Sequence, residues 1–252
     1  MRQQFEEDKM KFLINATHDI RSPLTLIMSP LQKLRRRSLD DDSKADLDVI
    51  DRNAQRILTL VNQILDIRKI DKQQMHLHCR QTNLGDMVSM IYKVYEYNAR
   101  ERNIAFTFQK PEEPVEAWVD RTQFDKVLSN LLSNAFKYTF DQGTIEIGLS
   151  KGHDDSVAGP LADYVELRVT DTGTGMREDT IQHIFDRFYQ VKTSKSSHIE
   201  GTGIGLNLCK MIVDMHHGTI TAQNRTDGVK GSVFIVRLPQ GNSHLTDAEI
   251  DT

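Results

Sequence analysis

Four short stretches of this 252-residue sequence carry side chains able to do chemistry together. The first is His18-Asp19-Ile20-Arg21-Ser22-Pro23-Leu24. A neutral imidazole is a competent nucleophile near neutrality, because its ordinary pKa is about 6.5. The neighbouring Asp19 carboxylate can take the proton from one ring nitrogen and raise the nucleophilicity of the other. Pro23 removes a backbone donor and crowds the carbonyl of Asp19, so a helix here should bend or loosen one turn after His18. Taken alone, a His-Asp pair in a helix is more often an ordinary surface histidine.

The second stretch is Asn130-Leu-Leu-Ser-Asn134-Ala-Phe-Lys137-Tyr138. Helical spacing puts Asn130, Asn134 and Lys137 on one face, with Tyr138 at its edge. Asparagine oxygens suit Mg²⁺, which prefers oxygen ligands, and a lysine one turn on can meet phosphate. Such a stripe is usually just a solvated face. The third is Asp171-Thr-Gly173-Thr-Gly175-Met176, directly after the strand-like YVELRVT. It puts a carboxylate at a sheet edge, able to accept a hydrogen bond from an exocyclic amine. The glycines let backbone come close to a ligand. The fourth is Gly201-Thr202-Gly203-Ile204-Gly205-Leu206, opening a helix. Glycines before a helix start make an anion site from exposed N–H groups and the helix dipole. Neither the third nor the fourth is specific by itself. The fourth is not a dinucleotide fingerprint, since no βαβ unit precedes it, and it lacks the Gly-Lys-Ser/Thr ending of a Walker loop.

The elements that must position these groups fall into two parts. Over residues 1–71, Leu13, Ile20, Ile27 and Leu34 recur every seven residues beside a row of Met10, Thr17, Leu24 and Leu31. Leu47, Ala54 and Val61 repeat the pattern beside Ile50, Ile57 and Ile64. These are coiled-coil seams on two long helices joined by the charged segment RRRSLDDDSK, whose Asp40 to Asp42 suit a helix start. Two such helices cannot bury their stripes alone, so the pattern predicts a hairpin that dimerises into a four-helix bundle. His18 borders that seam without filling it.

From residue 72 the period changes. Strands are expected at CRQTNL, IAFTFQK, EAWVD, GTIEIGLS, DYVELRVTD, GTITAQN and SVFIVRL, and helices over 84–101, 121–139 and about 204–217. The expected architecture is a mostly antiparallel sheet covered on one face by three helices, over 72–240. Residues 241–252 are polar and read as a tail or linker. Cys79 and Cys209 lack metal-ligand spacing and read as buried small apolar residues.

Order and spacing join the four stretches. FLINATHDIRSPLTLI resembles the phosphoacceptor box of sensor histidine kinases. The Asn stretch, the Asp-Gly-Gly loop, Phe185-Asp-Arg187-Phe188 and the Gly-rich helix start resemble, in sequence, the nucleotide boxes of the ATPase superfamily shared by those kinases. The resemblance covers nearly the whole chain. It implies an α+β protein: a dimerising helical hairpin followed by a Bergerat-type ATP-binding sandwich. It makes His18 the phosphoacceptor and Asp19 its acid–base partner. Ser22 then stands where a side chain positions water for dephosphorylating a partner.

By the same resemblance Asn134 is the main Mg²⁺ ligand, with Asn130 beside it. Lys137 meets phosphate, Tyr138 the nucleoside and Asp171 adenine, while Gly173 and Gly175 shape that wall. Gly201, Gly203 and Gly205 cradle phosphates, with Thr202 and Leu206 in the same nucleotide-binding stretch. Arg187 reaches the γ-phosphate, and Gln190 to Glu200 form a lid. The implied cofactors are ATP and Mg²⁺. The implied partners are a second copy of the chain and the receiver domain of a response regulator, whose aspartate takes the phosphoryl group. Arg68 to Gln74 is the expected hinge.

Other function classes fit less well. A receiver phosphatase or pseudokinase of the same fold is the alternative, but His18, Asp19, Asn134 and Asp171 are all present. Gyrase-like and chaperone-like ATPases carry a glutamate four residues before the Mg²⁺ asparagine, where this chain has Asn130. A coiled-coil adaptor leaves 120–206 unexplained. A net charge of −4 argues against nucleic acid as a partner. With no long apolar run and a heptad already under way at Met1, the chain reads as the cytoplasmic portion of an inner-membrane sensor, making no membrane contact itself.

Overall fold

The computed structural model describes residues 20, 24, 27–31, 33–34, 40–190 and 203–251. His18, Asp19, Ser22, Gly201, Thr202 and all of the expected lid but Gln190 lie outside them. The chain divides into two compact units, Met1–Met75 and His76–Thr252.

In the first unit, the described residues from 20 to 34 are helical. Helix α1 then runs Asp41–Asp71. It starts where Asp40 caps it, its carboxylate accepting from the backbone N–H and the hydroxyl of Ser43 at 2.8 and 2.7 Å. It stops in a Schellman motif: Gln73 takes a left-handed φ of 54°, and Gln74 N–H donates to Lys69 O at 2.8 Å. Leu24 and Met28 pack with Ala54 and Leu58, so the two helical stretches share an apolar seam. Leu31 and Val61 are buried as well. Of the other heptad rows, Ile20, Ile27, Leu34, Ile50 and Ile57 are exposed and Ile64 is half-buried.

The second unit holds helices α2 (Leu84–Glu101), α3 (Arg121–Tyr138), α4 (Glu178–Ile181) and α5 (Gly205–Met215). Its strands are β1 (Arg80–Asn83), β2 (Ala105–Phe108), β3 (Glu116–Val119), β4 (Thr144–His153), β5 (Asp163–Asp171), β6 (Thr219–Asn224) and β7 (Ser232–Pro239). Five of them form one sheet in the order β2-β4-β5-β7-β6, antiparallel except for β2 beside β4. β1 and β3 make a separate antiparallel pair. Helices α2, α3 and α5 contact β2, β5 and β6 respectively. The core is their apolar faces: Phe124, Val127, Leu131, Leu208 and Ile212 against Ile145, Leu167 and Val169. Residues alternate along β5, so Val165, Leu167, Val169 and Asp171 share a face. Both cysteines are buried in the reduced form, and burial pushes the Cys79 thiol up to about 11.

One buried knot ties the helices together. Asp120 caps α3 by accepting from the N–H groups of Thr122 and Gln123 at 3.0 and 3.1 Å. Its own N–H donates to Nε2 of His216 at 3.0 Å. The His216 Nδ1 lies 2.7 Å from Ile212 O. That pair of contacts demands the neutral ring protonated on Nδ1, because Nε2 must accept. Burial lowers the His216 pKa below its ordinary 6.5, outweighing the opposing pull of the Asp120 charge and the bond to Ile212. The unfolded chain therefore takes up this proton first as the pH falls. Stability should be full above about pH 6.5 and decline below it, by up to about 1.4 kcal/mol per pH unit from this group. Urea unfolding followed by the single Trp118 should show that decline between pH 7 and 5. His216→Gln should flatten it, and an unchanged slope would assign the effect elsewhere.

The end of the chain departs from the sequence expectation of a tail or linker. Cys79 N–H donates to Glu249 O at 2.7 Å, and Asp251 N–H donates to Cys79 O at 3.0 Å. Arg80 holds the Asp251 carboxylate, and Thr246 N–H bonds Glu249 Oε2 at 2.8 Å. Polar composition misled here because the docking is through backbone, edge to edge with Cys79.

Candidate active site

The face of α3 that bears Asn130, Asn134 and Lys137 is half-buried, while Val127, Leu128, Leu131 and Leu132 fill the core on the other side. Asn130 Nδ2 donates to Lys126 O at 2.9 Å, one turn back along the helix. Lys137 Nζ sits 5.1 Å from the centre of the exposed Tyr138 ring. The C-terminal end of α3 is held by Arg102, which donates to Phe136 O and Thr139 O at 2.5 and 2.6 Å. A guanidinium there satisfies carbonyls the helix leaves unpaired.

That same helix end meets the Asp171 loop. Thr174 N–H donates to Tyr138 O at 3.3 Å. A Cβ on Gly173 would run into Tyr138 O and stand 2.8 Å from Asp171 Oδ1, so only hydrogen fits. Gly175 has φ 63°, the left-handed region that favours glycine. Thr172 closes the loop base, accepting from Thr144 N–H at 2.7 Å. Asp171 itself is 2% exposed. Its Oδ1 accepts from Gly173 N–H at 2.8 Å and Ser232 N–H at 3.3 Å. Burial pushes its pKa up, against the pull of those two bonds. Among the described residues both bonds fall on Oδ1, which leaves Oδ2 as an acceptor for a ligand amine.

The third wall is α5. Ile204 caps it without any side-chain bond, so the first-turn N–H groups near Gly205 and Leu206 have no capping oxygen from the cap residue. Gly203 has φ 68°, and a Cβ there would lie 2.6 Å from the Phe188 carbonyl carbon. Phe188, also left-handed at φ 61°, donates its N–H to Gly203 O at 2.9 Å. This contact joins Phe188 to the residue two before α5. Arg187 is exposed, with Nη2 3.8 Å from Met211 Sδ. Asn207 on α5 donates to Phe185 O at 2.9 Å.

Through Tyr138 O the structure joins the Asp171–Gly175 loop to the C-terminal end of α3, the helix whose half-buried face bears Asn130, Asn134 and Lys137. Gly203, Gly205, Leu206 and Arg187 belong to the α5 wall. Sequence reasoning missed Ser232, whose N–H supports Asp171, and Asn224, whose side chain grips Met176. No motif announces either residue. Each acts through strand register on residues far away in sequence.

A sheet backed by three helices, with a buried Asp-Gly-Gly loop and a glycine at the start of α5, defines an ATPase-type nucleotide domain preceded by a helical hairpin. Two family models match the chain: "Histidine kinase-, DNA gyrase B-, and HSP90-like ATPase" over residues 119–242 and "His Kinase A (phospho-acceptor) domain" over residues 8–73. The catalytic domain of histidine kinase ThkA is 30% identical, with a TM-score of 0.53, over 65% of this chain and 97% of that one. Hybrid signal transduction histidine kinase D of Dictyostelium discoideum is 36% identical over 94% of this chain and 15% of its own length. Sensor histidine kinase TmoS of Ectopseudomonas mendocina is 33% identical over 94% of this chain and 23% of its own. The chain belongs to the sensor histidine kinase family. Full-length ShkA in complex with AMPPNP shares the fold, with a TM-score of 0.67 at 19% identity over 91% of this chain and 45% of that one. The chain spans less than a quarter of the length of the two curated relatives named here. Among the described residues no helix is long and apolar enough to cross a membrane.

Proposed function

We propose that this chain autophosphorylates His18 from ATP and passes the phosphoryl group to an aspartate of a response-regulator receiver domain, acting as a homodimer within a longer sensor. The reading puts the chain on the cytoplasmic side of the inner membrane. The observation that carries it is Asp171. A buried carboxylate with one oxygen committed to backbone and the other open fits an exocyclic adenine amine. The Tyr138 O contact ties that loop to the Asn130, Asn134 and Lys137 face.

Asn134 would hold Mg²⁺ with Asn130 beside it, since both offer neutral oxygens on one half-buried face. Bound there, Mg²⁺ supplies charge neutralisation on the phosphates. Lys137 and the first-turn N–H groups of α5 would meet phosphate oxygens. A lone pair on one His18 ring nitrogen attacks the γ-phosphorus. The N–P bond forms as the bond to the β–γ bridging oxygen breaks, and ADP leaves. Asp19 accepts the proton from the other ring nitrogen. The exposed rows Ile20, Ile27, Leu34, Ile50 and Ile57 support the homodimer, because a twofold partner would bury them.

The test is incubation of the chain with γ-labelled ATP and Mg²⁺. Acid-labile, alkali-stable label is expected on the wild type and none on His18→Gln. Asn134→Ala should lose at least about 100-fold in rate, the scale of one lost electrostatic contact to the transferring group. Persistent label on His18→Gln would overturn the assignment.

A further inference from the structure

We propose that Asn224 is a positioning residue for the nucleotide, because its carboxamide grips Met176 and so fixes the loop that carries Gly173 and Gly175. The inference rests on the nucleotide reading of the Asp171 site.

Met176 closes the Asp171 loop, and one side chain satisfies both of its backbone groups. Met176 N–H donates to Asn224 Oδ1 at 2.8 Å. Asn224 Nδ2 donates to Met176 O at 2.7 Å. A carboxamide with one acceptor and one donor side by side copies the edge of a neighbouring strand. The loop leaves the sheet at Asp171, yet its far end is held as if still in a ladder. Asn224 Oδ1 also faces Gly175: a Cβ there would stand 3.2 Å from it. The left-handed turn at Gly175 and the grip on Met176 therefore share one atom as their neighbour.

Register makes this a two-point clamp. Asn224 is the last residue of β6 and pairs with Ser232 of β7. Ser232 N–H donates to Asp171 Oδ1 at 3.3 Å. The same rung of the β6–β7 hairpin thus holds both ends of the loop, Asp171 through Ser232 and Met176 through Asn224. Gly231 lies so close that a Cβ would run into Asp171 O, and Arg225 N–H donates to Gly231 O at 3.1 Å across the turn. The clamp touches no reacting group. It sets where Oδ2 of Asp171 and the glycine backbone stand before a nucleotide arrives, which lowers the ordering cost of binding.

A residue of this kind changes affinity and leaves the transfer step alone. ADP with Mg²⁺ titrated calorimetrically into the full chain should bind Asn224→Ala about 10-fold or more weakly than wild type. The KM for ATP in autophosphorylation should rise by the same factor, with kcat within about twofold. Asn224→Asp keeps the oxygen that accepts from Met176 N–H and loses only the donor to Met176 O, and should recover part of the affinity. Trp118 fluorescence should report the same unfolding midpoint in all three proteins. Equal ADP affinity in wild type and Asn224→Ala would overturn the proposal. So would a fall in kcat without a rise in KM, or a loss of affinity seen only where the unfolding midpoint has also collapsed. Failure of the wild type itself to bind ADP would bring down the nucleotide reading, and this inference with it.

Discussion

Asp171→Asn is expected to weaken ADP binding by about 100-fold while leaving the C-terminal unit folded. The asparagine keeps the shape, and its oxygen can still accept from Gly173 and Ser232 N–H, as Oδ1 does now. Its NH₂ then replaces Oδ2. An amine that had met Oδ2 faces a donor in its place, in a site where Asp171 is 2% exposed and water is scarce. Losing a hydrogen bond to a charged acceptor and leaving a donor unpaired costs about 2–3 kcal/mol, or roughly 30- to 150-fold in affinity. Calorimetry with ADP and Mg²⁺ measures it, and an affinity within threefold of wild type would remove Asp171 from the nucleotide's contacts. The raised pKa adds a second signature. As the pH falls, Asp171 takes up its proton at a higher pH than an ordinary aspartate, so the wild type should lose affinity in mild acid where Asp171→Asn does not.

How much of this was legible in the sequence follows from what each residue depends on. The starts of α2 and α3 could be read because their causes are local: Asn83 and Asp120 each cap the N–H groups of the next turn. The bounds of β5 matched the alternation of DYVELRVTD, because Val165, Leu167 and Val169 share the buried face, although Glu166 between them is buried too, held by Arg168 and Arg237. Asp171 could be read as chemistry because its Asp-Gly-Gly loop stands in order between the Asn stretch and the Gly-rich helix start; alone it is an ordinary turn signal. Asn224 could not. Its importance arises from pairing with Ser232 and from reaching Met176 across the sheet, and neither is encoded near position 224. The docked end of the chain was hidden for the same reason, since Glu249 and Asp251 act through their backbone on Cys79. Helix α5 ended at Met215, earlier than expected, because His216 turns inward to serve Asp120 and His217 takes a left-handed φ of 56° before Gly218.

The heptads show a finer limit. Periodicity supplies two apolar rows per helix and cannot say which one faces the neighbouring helix of the same chain. In the structure Leu24, Leu31, Ala54 and Val61 are buried. Ile27 and Ile57 remain 50% and 42% exposed. A stripe of branched apolar side chains left in water is unfavourable unless something covers it. A second copy related by a twofold axis presents the same stripe in return. Ile57→Asp should therefore split the homodimer and spare the hairpin, whose own seam uses Leu24, Met28, Ala54 and Leu58. Ile57 is already more than half covered in one chain, so burying the rest is worth about 1 kcal/mol, and twofold symmetry counts it twice. The loss of about 2 kcal/mol corresponds to roughly 30-fold in the dimer dissociation constant. A buried aspartate without a partner would add to that cost. Sedimentation velocity at micromolar protein should show Ile57→Asp as a monomer with an unchanged helical circular dichroism signal. A variant that still sediments as a dimer would mean that the exposed isoleucine row is covered by something other than a second copy of this chain.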